Sequence, residues 1–347
     1  MSTAPDGTGL DLDALASWIA REEGIPASGV RIVAAAPIDS VGNAREPWRL
    51  TVVLEPPGRP ERAVDAVLLL KAPAGQLETA MPVEHAALRA VQHTGVPAPA
   101  PLWLDATGAA VGRPFLATTH MPGTADMALL RAAPDDTEAR QLAEHLAEVA
   151  ARLHTVDPAR VDPAVLPRVD VAGAATAQLD VWEPLAERQR LEPLPALRRA
   201  FSWLRANAPV AERVSLVHGD LRVGNFLAHG GRVQALLDWE MAHLGDPLED
   251  VAWAYRALWS PARVLPFDAF VARWSAHSGL TAEPRRLLWY RMFNEVKHGV
   301  ISLTAGRAFH ERRTTNLRLA DRNLTVAPFL DTFFRLRREH DAVEAAR

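Results

Sequence analysis

Cysteine is absent from the 347 residues, which excludes disulfides and thiolate-held metals and suits a reducing compartment. No apolar run approaches the roughly 20 residues that a membrane-spanning helix needs. The opening MSTAPDGTGLDLD also lacks the basic stretch and apolar core of a secretion signal. A cytoplasmic protein with no membrane partner is expected. Strong charge of one sign is missing too: a formal charge of −4 and a pI near 6.3 give no overall pull toward nucleic acid. There is no internal repeat, and no histidine pair at i and i+4 of the kind that grips a hydrolytic metal. Between two β-rich stretches, Val30–Ala36 and Trp48–Leu54, the turn from Asp39 to Asn43 holds a single glycine, Gly42. A glycine-rich loop is therefore lacking at this turn.

A hydrophobic content of 48% over this length supports two packed lobes. The densest chemistry lies from Leu216 to Tyr255, LVHGDLRVGNFLAHGGRVQALLDWEMAHLGDPLEDVAWAY. Asp220 follows a short apolar run, Asn225 comes five residues later, and a second apolar run ends in Asp238. Two short strands ending in this way can bring a carboxylate, an amide and a second carboxylate into one volume. Phosphoryl transfer calls for such a set, because its loose transition state asks the protein mainly to position the acceptor hydroxyl and neutralise spreading charge. On this reading Asp220 accepts or orients the proton of the acceptor, and Asn225 and Asp238 offer hard oxygen ligands to magnesium. Arg222 offers a fixed cation to the transferring phosphate. His218 and Gly219 shape the tight loop, and Glu240 is an outer or second-metal group. Asp246-Pro247-Leu248-Glu249 is the pattern that opens a helix, so Asp246 reads as structural. His229 and His243 read as loop histidines. A single Asp after a strand is more often a turn or cap residue; the joint spacing carries the assignment.

HGDLRVGN resembles the HGDxxxxN loop of the aminoglycoside phosphotransferase-like family, relatives of the protein kinases, and LLDWEMAHLGDPLEDVAW resembles its metal-binding segment. The likeness is greatest to the branch that includes kinase-like domains fused to some acyl-CoA dehydrogenases, where arginine often stands at the position of Arg222. It runs in landmarks from about Leu50 to Leu258. The resemblance implies an α+β, bilobal, protein-kinase-like fold. A small antiparallel β-sheet lobe would span residues 1–119, a hinge 120–123, and a larger, mostly helical lobe 124–347. It implies ATP as donor, with GTP left open, and Mg2+ as the metal, with Asp220 as catalytic base and Asn225 and Asp238 as magnesium ligands. Lys71 ends the apolar strand Ala66–Leu70, and Glu84 sits in the first turn of a helix marked by Val83, Ala87, Leu88 and Val91. Taken alone they read as a strand end and a helix-dipole residue. By resemblance they fall where the family carries the ion pair that holds nucleotide phosphates. The same resemblance puts the turn around Gly42 where the family covers the nucleotide phosphates, and His120-Met121-Pro122-Gly123 at the hinge, where backbone groups would meet the adenine edge.

Elsewhere the periodicity predicts a helix from Leu12 to a stop at Gly24, strands at Leu102–Leu104 and Pro114–Thr119, and a helix from about Asp136 with His154 as its C-terminal cation. Further helices are expected near Val171–Arg190, Leu194–Asn207, Pro266–His277, Pro284–Leu303 and Asn316–Arg338. The basic run Lys297, His298, Arg307, His310, Arg312, Arg313, Arg318 and Arg322 reads as a solvated face; lining a cleft, it would favour an anionic acceptor. The leading expectation is an ATP-dependent phosphotransferase acting on a small-molecule hydroxyl, with a hydroxy acid or hydroxyacyl-CoA preferred as acceptor. The alternatives are an aminoglycoside or other antibiotic kinase, a catalytically weak nucleotide-binding regulator, and a metal-dependent hydrolase.

Overall fold

A computed structural model describes residues 10–39, 45–72, 81–130, 133 and 135–345; the expected phosphate-covering turn around Gly42 lies outside them. Its first half comprises α1 (Leu12–Glu23), β1 (Val30–Pro37), β2 (Arg45–Leu54), β3 (Arg62–Lys71), α2 (Met81–Val91), β4 (Pro101–Asp105) and β5 (Phe115–Thr119). The strands make an antiparallel sheet in the order β1-β2-β3-β5-β4. Apolar residues recur at every second position, so Trp48, Leu50, Val52 and Leu54 of β2 and Ala66, Leu68 and Leu70 of β3 bury one face. α1 covers that face, with Trp18 edge-on to Phe115 at 5.1 Å between ring centroids. Its start and stop follow from sequence: the Asp11 side chain accepts the Ala14 N–H at 2.9 Å, and Gly24 closes it in the left-handed region.

The second half comprises α3 (Thr137–His154), α4 (Ala174–Gln189), α5 (Pro195–Ala206), β6 (Ser215–Val217), β7 (Phe226–His229), β8 (Arg232–Leu236), β9 (His243–Gly245), α6 (Leu248–Ala254), α7 (Phe267–Ser278), α8 (Pro284–His310), α9 (Leu317–Ala320) and α10 (Val326–Ala345). β7 pairs with β8 and β6 with β9, both antiparallel. An antiparallel sheet followed by a mostly helical lobe is the expected α+β arrangement. The buried side of α2, including Met81, Leu88 and Val91, joins the core of the helical lobe instead of the core under α1. Glu84 is thereby carried on the larger core.

Two helix boundaries differ from expectation. α8 continues past Leu303 to His310; within the extension an added Cβ at Gly306 would overlap the Asn323 side chain, so glycine lets the chain cross close above. The stretch expected as one helix from Asn316 is α9, a 3-10 turn at Asp321–Thr325, and then α10. That break lets the Thr325 hydroxyl reach Ser302 of α8 at 3.1 Å.

His145 on α3 supplies a pH-sensitive strut. Its Nδ1 accepts the Val233 N–H at 3.0 Å, while Nε2 faces Arg232 at 2.9 Å and Arg152 at 3.3 Å. Burial first, and then these guanidiniums, push the imidazole down from its ordinary 6.5 to about 4. Between those values the unfolded chain binds a proton that the folded chain refuses, so stability falls as pH falls through that window. The loss approaches about 3 kcal/mol at its lower end. Denaturant unfolding at neutral pH and near pH 4 should show it, and His145→Gln should flatten that dependence.

Candidate active site

The loop between β6 and β7 carries His218 to Asn225. Gly219 has φ +82°, and any side chain there would run into the Met241 carbonyl, so the tight turn requires glycine. Asp250 of α6 fixes the loop from below, its Oδ2 accepting the His218 N–H at 2.7 Å and its Oδ1 the Gly219 N–H at 2.9 Å. Behind Asp250 stand His154, with Nε2 3.1 Å from Oδ2, and Trp274, whose indole donates to His154 Nδ1 at 2.9 Å. An indole nitrogen can only donate, so Nδ1 is bare and Nε2 carries the proton. This corrects the expectation for His154: it is not a helix-end cation but a fully buried, neutral support of the loop. The end of α3 packs into the core instead of meeting solvent. Lys297 of α8 holds the other side, with Nζ 2.6 Å from the Gly219 carbonyl and 2.7 Å from Glu249.

Asp220 is held at both oxygens. Oδ1 accepts from Arg222 Nε at 3.0 Å and from the Trp253 indole at 2.6 Å; Oδ2 accepts from Asn225 Nδ2 at 2.6 Å. The structure thus brings Asp220, Arg222 and Asn225 together. Trp253 and Lys297 escaped the sequence reading as site residues. Trp253 lies three residues after Asp250 and four after Glu249, one face of a helix, and that spacing is the signal that finds it.

Asp238 follows β8, and its backbone is left-handed at φ 64°, a strained state for a residue with a side chain that clusters at functional positions. The neighbouring Leu237 N–H donates to the Asn225 carbonyl at 2.8 Å, which ties the segment after β8 to the loop before β7. Burial, and then the charges of Glu240 and Asp220, raise the Asp238 carboxyl above its usual range against the pull of Arg45 and Arg222. Burial pushes Glu84 up to about 7, with the Asp238 charge adding to it. Glu84, Asp220, Asp238 and Glu240 thus face Arg45 and Arg222, a surplus of negative charge that a divalent cation would relieve. Among the described residues no three His, Asp or Glu side chains form a ready-made metal cage. Magnesium commonly takes one or two protein ligands and leaves its other positions to phosphate and water, so Asn225 and Asp238 fit it.

Among the described residues the expected Lys71–Glu84 pair does not form. Lys71 is exposed at the end of β3, and the cation beside buried Glu84 is Arg45, at 3.4 Å. Arg45 opens β2 opposite Lys71 and also lies 3.2 Å from Glu240. In the stretch expected as the hinge, the His120 N–H donates to the Asp65 carbonyl at 2.9 Å, so the His120 amide is already paired and Met121 carries the next amide along. Asp246 accepts the Leu248 N–H at 2.9 Å at the start of α6 and lies 3.3 Å from Arg286, a structural place as expected. His243 stands in β9, 3.2 Å from Glu249, and not in a loop.

The basic run is not one face. Lys297 and His298 are buried, Arg307 donates to the Arg188 carbonyl and Arg313 pairs with Glu311. His310 and Arg312 line a separate cavity of about 670 Å³ near α9. A cleft-lining helix of cations is therefore absent among the described residues. Of the run only Lys297 reaches the Asp220 loop, at the Gly219 carbonyl, among the described residues; Arg222 is on Asp220 itself, and its guanidinium carbon and that of Arg256 each lie 5.3 Å from the Trp259 ring.

A two-part kinase-like fold with this loop and this carboxylate-rich cluster defines a phosphotransferase. The sequence model of the phosphotransferase enzyme family matches residues 55–290, and the chain belongs to that family. It is 32% identical over 213 residues to mouse acyl-CoA dehydrogenase family member 10, a match covering 58% of this chain and 19% of that protein. It is 30% identical over 176 residues to chicken acyl-CoA dehydrogenase family member 11, covering 49% and 22%. The matches thus span about a fifth of the length of these relatives. Among solved structures it is similar to a Ralstonia eutropha protein assigned to the aminoglycoside phosphotransferases, with a TM-score of 0.70, 20% identity, and 95% and 99% of the two chains covered. It also matches a thermostable mutant aminoglycoside phosphotransferase in ternary complex with ADP and hygromycin B, with a TM-score of 0.58, 16% identity, and 93% and 98% covered. These structures share the fold.

Proposed function

We propose that the protein transfers the terminal phosphate of ATP, with magnesium, to a hydroxyl of a small molecule, and that the acceptor is a hydroxy acid or a hydroxyacyl thioester. The observation that carries the reading is Asp220, oriented at both oxygens by three donors beside a buried surplus of carboxylate. A bound magnesium–nucleotide supplies the phosphoryl group and balances the charge around Asp238. Asp220 takes the proton of the acceptor hydroxyl as its oxygen bonds to the terminal phosphorus and the bond to the leaving nucleotide oxygen breaks. Arg222, already on the Asp220 carboxylate, is placed to stabilise charge on the transferring group. Asn225 and Asp238 would hold the metal, and the phosphate passes directly, without a covalent enzyme intermediate.

The groups around Asp220 support this acceptor class. Arg222 and Arg256 stack about Trp253, Trp259 and Phe329, with Arg256 4.8 Å from the Phe329 ring. Arg256 is held by Glu295, Nε to Oε1 3.0 Å, and by His298. Arg256 is compensated by Glu295, whereas Arg222, the more exposed of the two, presents a cation beside Asp220 that suits an anionic chain better than a polycationic antibiotic. The acyl-CoA dehydrogenase names of the mouse and chicken relatives support the same class. ATP and GTP consumption measured against hydroxy acids, hydroxyacyl-CoAs and aminoglycosides should show turnover with ATP and the first two classes. Turnover on aminoglycosides alone would sink the acceptor assignment.

A further inference from the structure

We propose that the groove at the C-terminal end of α8 binds the phosphate-bearing carrier arm of a thioester acceptor, with Arg312 and His310 as its cations. The inference rests on the acceptor class read above, and it gives a ligand to the part of the basic run that the catalytic loop does not use. From Arg307 to Arg322 the chain carries five arginines against two carboxylates. The groove holds about 670 Å³, within the usual range for a small-molecule site. Arg312 and His310 line it, whereas Glu311 and Asp321 do not. Arg307 and Arg313 both pair with Glu311. The side chains of Arg312 and His310 make no ion pair or hydrogen bond among the described residues.

Arg312 stands where the fold favours glycine. At the end of α8 the Arg312 N–H donates to the Phe309 carbonyl at 3.0 Å and the Arg313 N–H to the Ala308 carbonyl at 2.9 Å. Such a helix stop puts its pivot residue in the left-handed region, and Arg312 has φ 58°. α1 and α7 use glycine at the same place, Gly24 and Gly279. A residue with a side chain costs stability in that conformation, and such strain clusters at ligand sites. The arginine therefore sits against the local preference of the backbone, and what it adds is a guanidinium at the mouth of the groove.

The rest of the lining describes the occupant. Thr314 and Thr315 set hydroxyl groups beside the cations, and arginine with such donors suits a phosphate. The Asn323 side-chain oxygen is buried without a hydrogen-bond partner among the described residues, so it calls for an N–H or O–H from the ligand. Leu191 and Leu317, both exposed, supply apolar walls. A phosphate, amide N–H groups and short methylene stretches together are the chemistry of a phosphopantetheine arm, whether on coenzyme A or on a carrier protein. Distance agrees with this. Phe309, in the groove, follows His298 by about three turns, so the two lie on one side of α8 and about 16 Å apart. The His298 ring is 5.4 Å from that of Trp259, on which Arg222 stacks. A short hydroxy acid at Asp220 cannot reach the groove, whereas an acyl group on a pantetheine arm spans the gap.

The test uses the full chain as wild type, Arg312→Gly, Arg312→Gln and His310→Gln. Coenzyme A and free phosphopantetheine are titrated by calorimetry while magnesium and a non-hydrolysable ATP analogue saturate the nucleotide site. Rates are measured with one hydroxy acid and with its coenzyme A ester. Coenzyme A should bind the wild type, and Arg312→Gly should weaken it by about tenfold or more, as for a hydrogen bond to a charged group. Thermal melting of Arg312→Gly should stay level or rise, because glycine suits the helix stop. The preference for ester over free acid, as a ratio of kcat/KM values, should fall by a similar factor. An arginine with only a structural role predicts neither loss. If Arg312→Gly does not fold, Arg312→Gln and His310→Gln carry the same comparison. Binding of phosphopantetheine as well as coenzyme A supports the arm itself as occupant, and binding of coenzyme A alone supports its nucleotide end. Coenzyme A that binds all the proteins equally, or none of them, overturns the inference. Turnover of the ester that no groove variant alters also removes it, and leaves the acceptor reading standing. Binding that needs Arg312, with no turnover of either acyl compound, removes the acceptor reading and keeps the ligand of the groove.

Discussion

Asp220→Asn should lower turnover by about 1,000-fold or more while nucleotide affinity stays within about threefold of wild type. A positioned proton acceptor contributes on the order of 100- to 10,000-fold, and the replacement also disturbs its neighbours. The amide oxygen can still accept from Trp253 and Arg222 at the place of Oδ1. The new NH2 group, however, replaces the oxygen that accepts from Asn225 at 2.6 Å. Two donors then face each other, and the Asn225 amide must turn, which adds to the loss. Alanine is a poorer test, because it leaves the buried Trp253 indole N–H unpaired at a cost of about 1–3 kcal/mol. Calorimetry with magnesium and a non-hydrolysable analogue, beside steady-state rates, separates binding from turnover. A variant keeping a tenth of the wild-type rate would remove Asp220 from the role of base, and a wild type that binds without turnover would favour a regulator.

The two halves of this site differ in how far they can be read from the chain. Asp220, Asn225 and Asp238 stand at strand ends within one short stretch, where local spacing and the hairpin of β7 and β8 leave little freedom. The sheet is legible for a similar reason: alternation in β2 and β3 states which side chains face α1, and Asp11 and Asp136 announce the starts of α1 and α3. Contacts across the fold are not written locally. Arg45 and Glu84 are 39 residues apart, and a strand begun at Trp48 leaves Arg45 in the preceding turn, so nothing local announces their contact. His154 and Lys297 were misjudged through charge. A lysine or histidine on a helix is normally solvated, but α8 is buried on nearly every side, and a helix without a polar stripe gives no sign of which charge is paired inside.

Lys297→Met should destabilise the fold by about 3–5 kcal/mol, the range for removing one partner of a buried ion pair. Lys297 and Glu249 side chains are each 1% exposed and lie 2.7 Å apart. Burial alone would raise the Glu249 carboxyl, and Lys297, with His243, holds it below its usual range; without the lysine, that carboxylate stays buried with only His243 beside it. Methionine preserves much of the apolar volume against Trp253, whose ring lies 4.7 Å from the ammonium, so the cost reports charge and hydrogen bonding more than a cavity. Adding Glu249→Gln removes the stranded charge, and the double variant should be more stable than Lys297→Met by about 1–3 kcal/mol. Urea unfolding of the wild type, both singles and the double closes this cycle; a Lys297→Met protein within about 1 kcal/mol of wild type would deny the pair its structural role. Turnover supplies a second readout, because Lys297 also holds the Gly219 carbonyl at 2.6 Å, one residue before Asp220. The double variant should therefore regain stability without regaining rate, since no substitution at Glu249 restores the donor on the Gly219 carbonyl.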